Sequence, residues 1–302
     1  MENFMEKHLQ RLREAGERKP NYREVLNLAE RMLIEKCRAK DQPFMSSFTL
    51  DPVKAQPWLE KGFSYLGPER QEFPPGPVEE TFSCLLESFR ELNPARHESL
   101  QKAIKAKDWA LDRVLGRLLA NQLSEANLEA ELGAEGSLLF FFLVQSLKPV
   151  LENLAEQWRS ALKEFSWDKG FCPFCGGFAG MGDIREEGRR FLHCLLCGTE
   201  WESPRMKCPY CQNEDQGQHT YFQVENEIEN RVDICLACRH YLKTLDLRKK
   251  EINPLPVIED LLTIHLDLWA QEKGYKKLPL FGKVFWGRSD HGNSIQSLAG
   301  KK

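Results

Sequence analysis

The sequence predicts an α+β multidomain chain: an all-α N-terminal helical domain, two tandem four-cysteine modules of rubredoxin-like or zinc-ribbon type, and a C-terminal helix. Three observations carry that expectation. Apolar residues recur at helical spacing through the first half. Eight of the ten cysteines fall between 172 and 238 as four C-x-x-C pairs. Helical spacing then returns after Pro256. With 302 residues, 41% hydrophobic and 29% charged, the chain has the length of two or three domains and a globular composition.

The N-terminal domain is expected over 1–168. Asn21 before Tyr22, with Glu24 three residues on, resembles a helix start leading to Val25, Leu28, Met32 and Leu33. The Pro- and Gly-rich stretch Leu66–Pro77 reads as a loop between helices. Phe82, Leu85, Leu86 and Phe89 then mark one buried helix face, and Ile104, Leu111, Leu115 and Leu118 a second. Leu147, Leu151, Leu154, Trp158, Leu162 and Phe165 make a third. Core packing explains all three stripes, and nothing in this half points to catalysis.

After Gly170 the pattern changes to short alternating segments, Arg189–His193 and Thr220–Val224, which read as strands between cysteine pairs. The first ribbon is expected over 169–207, and the second, with the C-terminal helix, over 208–286. Ile258, Leu261, Leu262, His265, Leu268 and Trp269 share that helix's apolar face, and Gly274 ends it. On such a face His265 reads as a core histidine. The polar stretch 287–302 reads as a mobile tail.

Charge and composition narrow the function. Lys plus Arg number 42 against 45 Asp plus Glu, for a net charge of −3. Residues 172–250 hold eleven basic and twelve acidic side chains. Arg248-Lys249-Lys250 is the only short basic cluster there, so no nucleic acid partner is expected. The seven-residue apolar run Leu138–Val144 is short of the ~20 needed to span a bilayer, and no membrane insertion is expected. The first residues have scattered charges and no apolar core of a secretory signal, which makes the cytoplasm the expected location. No phosphate-binding glycine loop, H-E-x-x-H helix or G-x-S-x-G elbow is present, and the seven histidines are dispersed, so no enzyme is expected.

Two thiolates separated by two residues can turn back onto one metal ion, and two such knuckles supply four sulfurs in a closed tetrahedron. Eighteen residues separate Cys175 from Cys194 and twenty-three separate Cys211 from Cys235, each enough for a hairpin. Only ten lie between Cys197 and Cys208. Sequential pairing therefore groups Cys172, Cys175, Cys194 and Cys197 as one site and Cys208, Cys211, Cys235 and Cys238 as the other, with crossed pairing as the alternative. Gly176 and Gly198 follow their knuckles where positive φ is needed, whereas Gln212 and Arg239 stand at those places in the second site. Rubredoxin-like iron and zinc-ribbon zinc both accept four thiolates. His193, beside Cys194, reads as a bystander, and Phe174, Trp201 and Tyr210 as ribbon core in preference to exposed contacts.

The residues also carry a resemblance. CPFCG at 172–176, LHCLLCGTEW at 192–201, RMKCPYC at 205–211 and DICLACRHYLKTL at 233–245 resemble the FdhE family of formate dehydrogenase biogenesis proteins. EDLLTIHLDLWAQEKGYKK at 259–277 is similar to that family's C-terminal helix. The resemblance implies a non-enzymatic, metal-binding accessory protein, a chaperone that binds the catalytic subunit of formate dehydrogenase in the cytoplasm. It also implies two rubredoxin-like mononuclear iron sites on the eight cysteines, with zinc as the alternative metal. A rubredoxin-like electron-transfer protein acting on a redox enzyme is the second reading, and a nucleic-acid-binding zinc ribbon the third.

Overall fold

Leucine and phenylalanine at three- and four-residue spacing build the first of two compact units, Met1–Leu50 with Gln71–Gln157; the second comprises Asp51–Arg70 and Trp158–Lys302. The computed structural model describes residues 2–40, 56–57, 59–66, 75–106, 110–119, 123–163, 165–249 and 254–280. The expected tail at 287–302 lies outside the described residues, as do the side chains of Cys37 and Leu162.

The first unit begins with α1 (Glu2–Arg18), an element that apolar spacing does not reveal because its residues are so heavily charged. Leu9 and Leu12, three apart, are nevertheless buried. Asn21 does not start the next helix. It lies in a 3-10 turn, Pro20–Tyr22, that runs directly into α2 (Arg23–Lys40). The buried face of α2 is Leu26, Met32 and Leu33, while Val25 is 49% exposed. An ion pair of 2.6 Å, Arg13–Glu30, ties α1 to α2.

The expected loop at 66–77 ends early, because α3 (Pro75–Leu92) already includes Pro75 and Pro77. Proline fits a first helical turn, whose N–H groups lack partners in any case. Phe82, Leu85 and Phe89 are buried as the periodicity requires. The second stripe is divided: Ile104 belongs to α4 (Pro94–Ala106), whereas Leu111, Leu115 and Leu118 belong to α5 (Leu111–Leu119). Apolar spacing alone runs through such a break. Ser124 caps α6 (Glu125–Leu132) in a capping box with Asn127.

Helix α7 (Ala134–Lys163) joins the short apolar run to the third stripe, and Phe165 lies beyond its end. Pro149 inside it removes one backbone donor. By length and composition Ala134–Arg159 could cross a membrane, but 67% of its most apolar window is buried inside the protein. Phe142, Leu143, Leu147, Leu151 and Leu154 form that buried face.

The second unit is built on one six-stranded sheet of order β3-β2-β1-β6-β5-β4. The strands are β1 (Met181–Ile184), β2 (Arg190–His193), β3 (Glu200–Ser203), β4 (His219–Gln223), β5 (Asn230–Cys235) and β6 (Tyr241–Asp246). Each ribbon supplies an antiparallel three-stranded meander. A parallel seam between β1 and β6, with Gly182 opposite Thr244, fuses the two. A Cβ on Gly170, ahead of the first knuckle, would stand 1.5 Å from the carbonyl oxygen of Pro209 in the third, so only glycine allows that approach. Residues well before the ribbons also join this unit. The N–H groups of Tyr65 and Leu66 donate to the carbonyls of Pro173 and Phe174, at 2.7 and 2.9 Å.

The expected single C-terminal helix is two, α8 (Pro256–Leu262) and α9 (Ile264–Glu272), separated at Thr263. The Thr263 hydroxyl donates to the Glu259 carbonyl at 2.6 Å, a local bond that competes with a continuous helix. The break rotates the buried face to Ile258, Thr263, Leu266 and Ala270 and leaves Leu268 52% exposed. Trp269 stacks on Phe222 of β4, with ring centroids 3.6 Å apart. Gly274, at φ +79°, ends α9.

Candidate metal centres

The four C-x-x-C segments fold into the same knuckle. In each, the N–H of the residue after the second cysteine donates to the carbonyl of the first: Gly176 to Cys172, Gly198 to Cys194, Gln212 to Cys208 and Arg239 to Cys235, at 2.8–3.0 Å. The N–H of each first cysteine returns a bond of 2.7–3.0 Å to the residue five positions on. Closing this loop puts the residue after the second cysteine at positive φ, +76° and +72° for the glycines, +61° for Gln212 and +59° for Arg239. A side chain in that region costs about 1–2 kcal/mol. Gln212 offsets part of the cost through a 2.9 Å bond from its Nε2 to the Pro209 carbonyl. Gly198→Ala is therefore expected to destabilise the second unit by about 1–2 kcal/mol, and Gln212→Gly to leave it within about 0.5 kcal/mol of the parent. Urea denaturation of the two variants checks both.

These knuckles bring together Cys172, Cys175, Cys194 and Cys197 in one cluster and Cys208, Cys211, Cys235 and Cys238 in another; within each, the four Sγ atoms lie within 4.8 Å of one another. Sulfur–sulfur distances include 3.5 Å (Cys172–Cys197) and 3.4 Å (Cys175–Cys194) in the first, and 3.8 Å (Cys208–Cys238) and 3.7 Å (Cys211–Cys235) in the second. A tetrahedron with metal–sulfur bonds of ~2.3 Å has edges of about 3.8 Å, so both donor sets fit one ion.

Electrostatics explains why a cation suits them. Burial pushes the Cys194 thiol up, but hydrogen bonds from Cys172, Cys175 and Cys197 outweigh it and hold Cys194 well below an ordinary thiol. Cys175 and Cys197 are pushed well up, first by burial and then by their neighbours. In the second cluster a hydrogen bond from Cys238 brings Cys208 down to about 5, and burial pushes Cys211 up to about 11. In each set the neighbouring thiols thus favour one thiolate at the expense of others, and a metal ion supplies the positive charge that makes four thiolates compatible.

The clusters differ in enclosure. All four sulfur residues of the first are buried, whereas Cys211 and Cys238 of the second are only half-buried. The backbone N–H groups of Cys175 and Gly177 point at first-site sulfurs at 3.5 Å, and the Thr199 hydroxyl lies 3.2 Å from Cys197 Sγ. Metal is therefore expected to leave in two steps under a chelator, with the second site emptying first. Time-resolved metal release, compared with that of Cys238→Ser, reads the order.

The neighbouring residues take structural places. Phe174, Trp201 and Tyr210 are all buried. Trp201 Nε1 donates to the Lys169 carbonyl at 2.9 Å, and the Tyr210 hydroxyl to the Ala179 carbonyl at 3.0 Å. Their alternative reading as exposed contacts is overturned by that burial. His193 is in neither cluster; its Nε2 meets Asp183 Oδ2 at 2.6 Å, and Arg185 bridges Asp183 to Glu200. Half-buried His265 pairs with Glu227 at 2.9 Å. Arg248 and Lys249 both pair with Asp246, whose one carboxylate offsets one of their two charges. Sequence reasoning missed a further group, Lys243, Asp260, Asp267 and Lys277, which no local motif announces.

Comparison with known proteins agrees with the site. Residues 171–205 match the family model described as the FdhE central domain, and residues 206–280 the FdhE C-terminal domain. A protein FdhE homolog of Aquifex aeolicus is 35% identical over 153 residues, 49% of this chain and 53% of that one. One from Haemophilus influenzae is 27% identical over 208 residues, 67% of this chain and 66% of its own. The matches thus span between about half and two thirds of the length of these curated relatives. The crystal structure of the FdhE protein from Pseudomonas aeruginosa shares the fold, with a TM-score of 0.64 at 21% identity, over 92% of this chain and 94% of that one. Residues 171–280, which carry both four-cysteine clusters, are thus similar to the FdhE central and C-terminal domains, and the chain shares the fold of the FdhE crystal structure.

Proposed function

We propose that this chain is a non-enzymatic accessory protein, a chaperone that binds the catalytic subunit of a formate dehydrogenase in the cytoplasm during its assembly. The observation that carries the reading is the pair of closed tetrathiol clusters within the FdhE central and C-terminal domains. Cys172, Cys175, Cys194 and Cys197 would hold one ion, and Cys208, Cys211, Cys235 and Cys238 a second. Iron is the proposed metal and zinc the alternative. Bound there, the ion supplies cross-linking of two hairpins in each ribbon and, if it is iron, a one-electron couple. The chain's own part is to exclude water from the first cluster and to present a shaped surface around both.

Half-burial of Cys211 and Cys238 supports a second reading, in which the second site exchanges electrons with a redox enzyme. Anaerobic purification without added metal, followed by metal analysis, absorption spectroscopy and co-purification with formate dehydrogenase subunits, tests both. Two irons per chain and a retained catalytic subunit support the chaperone reading, and a band that bleaches reversibly on reduction adds electron transfer. Two zincs remove the redox reading. Failure to retain any formate dehydrogenase subunit, with both sites loaded, would sink the accessory role.

A further inference from the structure

Beside the second cluster, a cleft of about 220 Å³ opens between the Arg205–Tyr210 segment and strands β4 and β5. Its lining is strongly cationic: Arg190, Arg205, Lys207 and Arg231 face one carboxylate, Asp233. That carboxylate is already engaged, by Arg231 at 2.8 Å and by the Thr244 hydroxyl at 2.7 Å. Lys207 has distant carboxylates of its own, Glu214 at 3.6 Å and Asp168 at 3.8 Å. Arg190 and Arg205 have none within ion-pair distance among the described residues.

Arg190 is the informative residue, since it is 5% exposed. One of its terminal nitrogens is used on uncharged acceptors, including Ser203 Oγ at 3.0 Å and the Lys207 carbonyl at 2.7 Å. Its Nε is buried without a partner, as are His219 Nε2 and His240 Nδ1 on the same lining. Buried guanidinium charge is ordinarily paired, and buried N–H groups are ordinarily bonded. Neither arginine makes an N–H···S bond to a second-site sulfur among the described residues, so the thiol cluster does not fill that role by contact.

We infer that this cleft is a binding site for a phosphate-type oxyanion, free or at the end of a larger ligand, held by Arg190 and Arg205 with His219 and His240 at its wall. Charge-assisted bonds from planar guanidinium groups match the geometry of such anions. Tyr221, 60% exposed on the edge strand β4, stands on the same lining and offers an aromatic surface to whatever carries the anion. The site is separate from the accessory role and does not depend on it.

Isothermal titration of the full chain with inorganic phosphate and with pyrophosphate, at constant ionic strength in chloride, tests the inference. One saturable site per chain is expected, weakened about tenfold by Arg190→Gln and several-fold by Arg205→Gln. Exposed Arg205 keeps the test usable if the Arg190 variant fails to fold. Tighter binding of pyrophosphate than of phosphate would indicate the end of a larger ligand, and equal binding a free anion. The competing role for these cations is to balance the negative charge of a metal tetrathiolate at the second site. No saturable heat with either anion, together with metal loss from the second site in Arg190→Gln, would establish that role and overturn the anion site. Binding unchanged by both substitutions would overturn it as well.

Discussion

Cys175→Ser is expected to leave the second unit unfolded. Its sulfur is fully buried, lies 3.4 Å from Cys194 Sγ and sits in a cluster whose four cysteines are all buried. Structural tetrathiolate ions contribute on the order of 10 kcal/mol to folding, and a domain of this size is stable by only about 5–15 kcal/mol. Loss of most of the first contribution exceeds what packing can supply. Loss of the sheet signal in circular dichroism, and one metal or none per chain, are the expected readouts. Cys238→Ser provides the comparison: half-buried at the rim of the second cluster, it is expected to lower metal content while the sheet persists. A Cys175→Ser protein that folds and keeps two ions per chain would refute the assignment of the first cluster as a metal site.

The next largest effect is expected at Lys243, whose side chain is 1% exposed in β6. Its Nζ meets Asp260 Oδ1 at 2.7 Å and contacts Asp267, and it donates to the Asp260 carbonyl. Lys277 reaches the same two carboxylates at 2.7 and 3.2 Å. The four charges fasten α8 and α9 to the middle of the sheet, beside the Tyr241 hydroxyl, which donates to Asp267 at 2.8 Å. Removing one partner from a buried ion network strands the others, so Lys243→Met is expected to cost about 3–5 kcal/mol. Lys277 holds the loss near the lower end of that range. In thermal denaturation this corresponds to a fall of roughly 6–12 °C for a unit of this length.

The same network sets a pH window. Burial raises the Asp260 pKa, but Lys243 and Lys277 more than offset it and hold the carboxyl below its ordinary value. Its contribution is therefore complete above the unfolded value of about 4 and is lost as pH falls through the lower folded value. Lys277 has the opposite sign. Burial lowers its pKa, Asp260 and Asp267 outweigh burial, and the result is raised. Its contribution is complete below about 10.4 and disappears as pH rises through the folded value. Stability measured against pH is expected to show a neutral plateau with an acid and an alkaline limb. The acid limb should be shallower in Lys243→Met, where Asp260 has one cation fewer; an unchanged limb would show that this carboxylate is not coupled to Lys243.

Much of the site was legible because its determinants are local. A knuckle closes within six residues, so C-x-x-C followed by Gly176 or Gly198 announces both the turn and the sulfur positions. The helical stripes of α3 and α7 follow from side-chain period in the same way. Where an element depends on what it packs against, the pattern misled: Leu268 has the spacing of a buried residue and is exposed, because Thr263 divides the helix and turns its face. α1 was hidden by its charges for the reverse reason, since Leu9 and Leu12 are its buried apolar side chains among the described residues.

By itself, then, the sequence determined the cysteine knuckles, the positive-φ corners at Gly176 and Gly198, the helical character of the first half and the family signature, all of which arise within a few consecutive residues. Tertiary structure alone decided that two ribbons share one sheet through the β1–β6 seam, that residues 59–66 pack with the first knuckle, and that Lys243 meets Asp260 and Asp267. It also decided that Arg190 is buried with no carboxylate within ion-pair distance among the described residues. These features join residues 17 to more than 100 positions apart, and they depend on burial and desolvation, which exist only once distant segments have come together.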